Sequence, residues 1–270
     1  MWDIERRDHV AVVTMNSNNA NVQNPEFFAD LHRAFDRLDG EFGDCAVVLT
    51  GRGSCFSAGI DFDYSFPLFA SRDEQAIRRW FEDYRETNLR IFRHPTPTVA
   101  AINGHAFAGG LITALNCDFR VAGDGPIKFS LNEVLIGIPM PAVYVEIIRH
   151  AVGITNAAAM CLQGSIYDTR QAAQLGIVHK LAPPEQLIEH AVNMARRVDP
   201  DSFAAYAFTK KSLQARTWHA IATHADKLDR DLSAVMSDLG GLCANARRYR
   251  EIKGRDPSWE IGPKAEDQEK

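Results

Sequence analysis

Residues 98–122 read Thr-Val-Ala-Ala-Ile-Asn-Gly-His-Ala-Phe-Ala-Gly-Gly-Leu-Ile-Thr-Ala-Leu-Asn-Cys-Asp-Phe-Arg-Val-Ala. The stretch is apolar enough to suggest a membrane span, but Asn103, His105, Asn116, Cys117, Asp118 and Arg120 interrupt it, along with Gly104, Gly109 and Gly110. That many polar groups are costly in hydrocarbon, so the segment reads as buried core of a water-exposed protein. It divides into a strand over Thr98–Ile102, a turn at Asn103-Gly104, a short buried helix over Gly109–Asn116 and a strand over Phe119–Ala122. Two buried strands joined through a helix point to a partly parallel α/β core.

The same alternation extends toward the N-terminus. Val10–Met15 is a β-branched run and reads as a strand. Asn24-Pro25 pairs an N-cap residue with a first-turn proline. Phe27, Phe28, Leu31, Phe35 and Leu38 follow at helical spacing, with Gly40 placed to end the helix. Ala46–Thr50 is another strand, Gly51–Ser54 a turn, and Gln75–Phe92 a helix. After Pro141 the pattern is mainly helical: Thr155 is expected to cap a helix ending at Gly164, and Asp168 or Thr169 one ending at Gly176. Ile177–Leu181 reads as a short strand, and the chain from about Ser202 to Glu251 as helix. Residues 1–200 are thus expected to form the core and 201–253 a helical region, with 254–270 a charged, poorly ordered tail.

Composition narrows the function classes. The 270 residues are 46% hydrophobic and 24% charged, with a formal charge of −5. A chain of this length buries roughly 70–75% of its unfolded surface and needs no disulfide to fold. The acidic balance argues against a nucleic-acid partner or an anionic membrane surface. The five cysteines are scattered without a C-x-x-C and read as reduced thiols in a reducing compartment, here the cytoplasm. The charged start, Asp3 to Asp8, is no signal peptide. No His-Glu-x-x-His or paired Cys/His spacing suggests a metal.

Three segments carry candidate chemistry. Gly51-Arg-Gly-Ser-Cys-Phe-Ser-Ala-Gly-Ile-Asp61 follows a strand, but it lacks the third glycine of a dinucleotide loop, since Phe56 stands there. Asn103–Gly110 gathers small residues before a buried helix. They either allow close backbone packing or present free N–H groups to a developing negative charge. In Phe129–Pro139, Glu133 is flanked by apolar residues. Such a carboxylate either reaches out to solvent or, held in an apolar site, has a raised pKa and acts as a general base.

Together, Val47-Val-Leu-Thr-Gly-x-Gly-x-x-Phe-Ser-Ala-Gly-x-Asp61, Ala100-Ala-Ile-Asn-Gly-x-Ala-x-x-Gly-Gly110 with Ala114-Leu-x-Cys-Asp118, Gln171–Val178 and Thr209-Lys210 resemble the crotonase (enoyl-CoA hydratase/isomerase) superfamily, collinear from about Val10 to Leu213. The resemblance implies a spiral of ββα turns with a C-terminal helical trimerisation region, and a homotrimer or dimer of trimers. It implies an acyl-CoA substrate, coenzyme A being part of the substrate with no separate cofactor. The backbone N–H groups of Ile60 and Gly109 would form an oxyanion hole, worth about 3–4 kcal/mol per donor. Ser57, Ala58 and Asp61 would lie along the adenine end of CoA. Asp118 falls on a structural position of the family. Lys210 and Lys211 read either as a solvated helix face or as contacts to a CoA phosphate. Phe62, Phe66, Phe69 and Trp80 are either core or an aromatic acyl tunnel, with Phe66 and Ile112 assigned to the acyl pocket.

One departure separates the possible reactions. Hydratases of the superfamily hold water with two glutamates, and the first falls here on Ile112, which cannot hydrogen-bond. The second corresponds to Glu133. One glutamate suffices to move a proton from C2 to C4 of a 3-enoyl-CoA, which shifts the double bond to position 2. Leu131-Asn-Glu-x-x-x-Gly137 is similar to the matching segment of the mitochondrial Δ3,Δ2-enoyl-CoA isomerases, and the apolar Ile112 keeps Glu133 desolvated. Isomerisation is the leading reading. Hydration, hydrolysis or C–C cleavage through Glu133, and non-catalytic acyl-CoA binding, stay open.

Overall fold

The computed structural model describes residues 2–18 and 20–259. In chain order the strands are β1 (Asp3–Arg7), β2 (Val10–Met15), β3 (Ala46–Gly51), β4 (Cys55–Ser57), β5 (Thr98–Ile102), β6 (His105–Phe107), β7 (Phe119–Gly123), β8 (Phe129–Ser130) and β9 (Lys180–Ala182). They form two sheets. The larger has the order β1-β2-β3-β5-β7-β9 and the smaller β4-β6-β8. Only the β1–β2 pair is antiparallel; the rest of the larger sheet and all of the smaller one are parallel. After β1 and β2, which both join the larger sheet, successive turns of the chain give one strand to each sheet and then a helix, which is the expected ββα spiral.

The apolar runs are continuous because both faces of the larger sheet are covered. Along β2, Ala11, Val13 and Met15 face the main core, while Val10 and Val12 face a second cluster. β3 and β5 divide the same way, Val47, Leu49, Ala100 and Ile102 against Ala46, Val48, Val99 and Ala101. The helix Leu187–Ala195 supplies Leu187, Ala191, Val192 and Ala195 to the second cluster.

The helices are α1 (Pro25–Glu41), α2 (Phe62–Ala70), α3 (Glu74–Arg93), α4 (Gly109–Leu115), α5 (Ala142–Gln163), α6 (Thr169–Gln174), α7 (Leu187–Ala195) and α8 (Phe203–Ala220). A longer helix, α9 (Leu239–Lys253), follows a series of short turns. Helix α1 starts as expected: Asn24 Oδ1 accepts from the Phe27 N–H at 3.1 Å, and Phe27, Leu31, Phe35 and Leu38 are buried. It runs one residue past Gly40. Asp168 forms a full capping box with Gln171 at the start of α6.

Several boundaries differ from the sequence expectation. The helix expected from Thr155 to Gly164 is the second of two that join at Gly153, where φ is +77° and ψ 162°; the first, which was not expected, begins at Ala142. No capping side chain lies near in sequence; Asp229 supplies it from far along the chain, accepting from the Ala142 and Val143 N–H groups. The expected helix from Ser202 to Glu251 is broken, because Asp238 caps a new helix by accepting from the N–H groups of Gly240 and Gly241. Of the charged tail expected from Gly254 onward, residues 260–270 lie outside the described residues, while Trp259 packs edge-on against Tyr249 and Phe66. Among the described residues no helix is long and apolar enough to cross a membrane.

Candidate active site

The site forms where the chain crosses from the larger to the smaller sheet. Asn103 binds the two crossings together: its Oδ1 accepts from the Gly51 N–H at 3.0 Å and its Nδ2 donates to the Gly53 carbonyl at 2.9 Å. The next residue must be glycine, since a Cβ on Gly104 would lie 1.9 Å from the Ser54 carbonyl oxygen. Asn21 reaches in from the other side, its Nδ2 directed at the carbonyls of Arg52, Cys55 and Phe56.

Two loops then meet. The first is the Ser57–Asp61 segment, with Gly59 at φ +86°; the second ends in Ala108, an alanine held at φ +47° before Gly109 opens α4. A non-glycine residue at positive φ costs about 1–3 kcal/mol, so the surrounding packing enforces it. Gly110 lets the loops touch: a Cβ there would come within 2.1 Å of the Ser57 carbonyl oxygen. Gln23 joins both. Its backbone pairs with the first loop, Gln23 N–H to Gly59 carbonyl at 2.7 Å and Asp61 N–H to Gln23 carbonyl at 2.9 Å. Its side chain donates to the Gly109 carbonyl at 3.2 Å and to Thr113 at 2.9 Å. Among the described residues, the N–H groups of Ile60 and Gly109 have no hydrogen-bond acceptor in the protein.

Ile60, Gly109, Ile112 and Glu133 line one small cavity, together with Phe62, Trp80, Phe81, Tyr84, Ala108, Ile136, Ile138 and Pro141. The sequence assignments of Ile60, Gly109, Glu133 and Ile112 therefore converge. Glu133 starts a single 3₁₀ turn, Glu133–Ile136, closed by Gly137 at φ +75°. The residue is 7% exposed, and its Oε2 has no partner. Burial pushes the carboxyl up from its ordinary 4.5 to about 7. Helix α9 seats this turn. Gly241 packs against the Gly137 backbone so tightly that a Cβ on Gly137 would meet it at 2.7 Å, and Asn245 Nδ2 donates to the Ile136 carbonyl.

Other sequence assignments change. Phe66 is fully buried but absent from the cavity wall; one turn along α2 from Phe62, it stacks behind that ring at 4.3 Å and also meets Phe69. Phe62 and Trp80 hold the wall instead. Ser57 cannot reach a nucleotide with its side chain: its Oγ is buried, donates to the Asn21 carbonyl at 2.7 Å and accepts from the Gly59 N–H at 3.2 Å. Asp61 is the N-cap of α2 and accepts from the Asp63 N–H and Asn24. Ala58, half-buried, gives its N–H to the Ala20 carbonyl. Lys210 is neither solvated nor aimed at a phosphate; it is buried, 2.8 Å from Asp118 and 2.7 Å from the His94 carbonyl. Asp118 also accepts from the Thr98 N–H and hydroxyl and from Tyr206, a structural role as expected. Sequence reading missed Gln23, Tyr84, Gly241 and Asn245. Gln23 sits in an Asn-rich loop that reads only as a turn, and Tyr84 in a helix whose inward face reads as core. Among the described residues no cluster of three or more His, Cys, Asp or Glu is placed to hold a metal ion.

A buried carboxyl with a raised pKa thus shares a cavity with two backbone N–H groups that have no acceptor among the described residues. The chain belongs to the enoyl-CoA hydratase/isomerase family, whose model matches residues 5–239. It is 37% identical to a putative enoyl-CoA hydratase of Thermus thermophilus over 210 residues, 77% of this chain and 82% of that protein. It is 27% identical to human mitochondrial enoyl-CoA delta isomerase 1 over 219 residues, 80% of this chain and 71% of that protein. In fold it is similar to the crystal structure of human mitochondrial delta3-delta2-enoyl-CoA isomerase, with a TM-score of 0.84 and 24% identity, covering 94% of this chain and 98% of that one.

Proposed function

We propose that this family member moves a double bond from position 3 to position 2 of an enoyl-CoA. The observation that carries the reading is Glu133, a buried carboxyl with one oxygen unpartnered and its pKa raised to about 7, which shares its cavity with an isoleucine, Ile112, rather than a second carboxylate. Ionised Glu133 removes a proton from C2 of the 3-enoyl thioester. The charge passes to the thioester oxygen, which accepts hydrogen bonds from the N–H groups of Ile60 and Gly109. Protonated Glu133 returns the proton at C4. A base with a pKa near the working pH combines a populated carboxylate with an adequate driving force. The coenzyme A portion belongs to the substrate and lies over the Ala58–Asp61 backbone; no separate cofactor is required by these steps. The cavity holds about 20 Å³ as it stands, so the acyl chain enters as the aromatic wall of Phe62, Trp80 and Phe81 moves outward.

Incubation with a 3-enoyl-CoA tests this. The expected result is rising conjugated-thioester absorbance with no change in mass, abolished by Glu133→Gln. Absence of conjugation, or conjugation that survives Glu133→Gln, overturns the assignment.

A further inference from the structure

A second and larger cavity adjoins the site. It holds about 140 Å³, against about 20 Å³ for the one at Glu133. Phe81 and Pro141 line both, so these two side chains form the partition between them. Phe81 belongs to the aromatic wall that moves when an acyl chain enters. Contacts to other rings hold it: it stacks on Phe69 at 6.0 Å and meets Trp80 edge-on at 4.8 Å. A dry cavity of about 150 Å³ admits a molecule of benzene size. The first cavity therefore takes the reacting carbons, and the second has room for the end of the chain.

The lining of the second cavity combines apolar surface with charge. Val143, Tyr144 and Leu232 are buried. Arg78 and Arg85 stand two turns apart on one face of α3, and Arg230 comes from the turns between α8 and α9. Two carboxylates share the cavity, Glu82 and Asp229. Asp229 is engaged in capping α5, accepting from the Ala142 N–H at 2.6 Å and the Val143 N–H at 3.2 Å. Arg78 and Arg230 make no hydrogen bond or ion pair among the described residues. Three guanidinium groups against two carboxylates leave the lining net positive. A chain ending in a methyl group gains nothing from these charges. A carboxylate entering an apolar space is costly unless an opposite charge meets it, and a guanidinium offers paired N–H donors that match its two oxygens.

We propose that this cavity receives the far end of the acyl chain, and that Arg78 and Arg230 select chains that end in a carboxylate. The proposal rests on the reading above for the entry of the acyl chain past Glu133. The CoA phosphates are a different anion: in that reading the CoA lies over Ala58–Asp61, and none of those residues lines this cavity.

The test uses saturated acyl-CoA thioesters of six to ten carbons, each paired with its ω-carboxy counterpart of equal length. Without a double bond they bind but do not isomerise, so calorimetry reads selection apart from turnover. At one or more lengths the parent is expected to bind the ω-carboxy thioester at least as tightly as its methyl-ended partner. In Arg78→Gln/Arg230→Gln the ratio of the two affinities should fall roughly tenfold against the carboxylate, the scale of two exposed ion pairs. Glu82→Gln should move the same ratio a few-fold the other way, and added salt should shrink both shifts. A parent that prefers the methyl end at every length overturns the proposal. So does a loss shared equally by both members of each pair, which would mark the arginines as contacts to CoA. Carboxylate selection in a protein that never conjugates a 3-enoyl-CoA would keep this proposal and discard the isomerase reading. Conjugation with no dependence on Arg78 and Arg230 would do the reverse.

Discussion

On one wall of the cavity, the loops that carry Ile60 and Gly109 are held by many hydrogen bonds: Asn21, Gln23, Ser57 and Asn103 each bond to backbone there or next to it. Elsewhere in the lining, Glu133 rests on a single 3₁₀ turn and keeps one carboxylate oxygen free of any partner. The contrast follows from what each wall supplies. Backbone donors have fixed charge and gain by being immobile, because preorganised dipoles need no reorganisation as charge develops. A base must change charge, and each hydrogen bond to its ionised form would lower its pKa and weaken it. Under the proposed reading, bonding is therefore concentrated at the two donor loops and sparse at Glu133, whose Oε2 stays unpartnered.

Glu133→Gln should produce the largest effect, a loss of about 10²–10⁴-fold in kcat, the range for a general base, with KM changed far less. The conjugated-thioester assay reads both. A binding-only role for Glu133 would appear in KM instead.

Damage to the donor wall should come next. Gly110→Ala places a methyl group against the Ser57 carbonyl, which forces the two loops apart. The expected loss is on the order of 10²-fold in kcat, comparable to removing one oxyanion donor. A normal kcat with an intact fold by circular dichroism would show that the loops can separate without harm.

The pH dependence sharpens the other side. Glu133 titrates at about 7 in the folded protein against an ordinary 4.5. Only the carboxylate is a base, so kcat/KM should rise with pH through about 7 and then level. Between 4.5 and 7 the folded state holds this proton and the unfolded chain does not, so this group lowers stability as pH rises across that window. Chemical denaturation across the same range should show the slope in the parent and lose it in Glu133→Gln.

Gln23→Leu should have the smallest effect. It removes the bonds to Gly109 and Thr113 and leaves the backbone pairing with Gly59 and Asp61 in place. A cost of about 1–3 kcal/mol is expected, each kcal/mol lowering the thermal midpoint by roughly 2–4 °C at this chain length. A kcat loss larger than that for Gly110→Ala would make Gln23, and not the glycine contact, the main determinant of the hole.

Legibility in the sequence followed the range of the interactions. Strands β2, β3, β5 and β7 and the starts of α1 and α6 were readable because they depend on local signals, a β-branched run or a capping side chain three residues away, whereas β1, Asp-Ile-Glu-Arg-Arg, carries no such run and read only as a charged start. β4, β6 and β8 are two or three residues long and too short for a period to register. The start of α5 was unreadable because its cap, Asp229, comes from far along the chain. Phe66 was placed in the acyl pocket by resemblance alone, and packing depth, which a resemblance does not carry, leaves Phe62 rather than Phe66 on the cavity.

By itself, the sequence determined the alternation of the longer strands and helices, the glycines that permit close loop contact, and a glutamate flanked by apolar residues. Those properties belong to short segments, where side-chain size and backbone freedom act locally. Only the tertiary structure decided that Gln23 joins the two donor loops, that α9 seats the Glu133 turn, and that Tyr84 opens onto the same cavity as the base. Each of these depends on which distant groups share one small volume, and burial, which raises the Glu133 carboxyl to about 7, is a property of that volume.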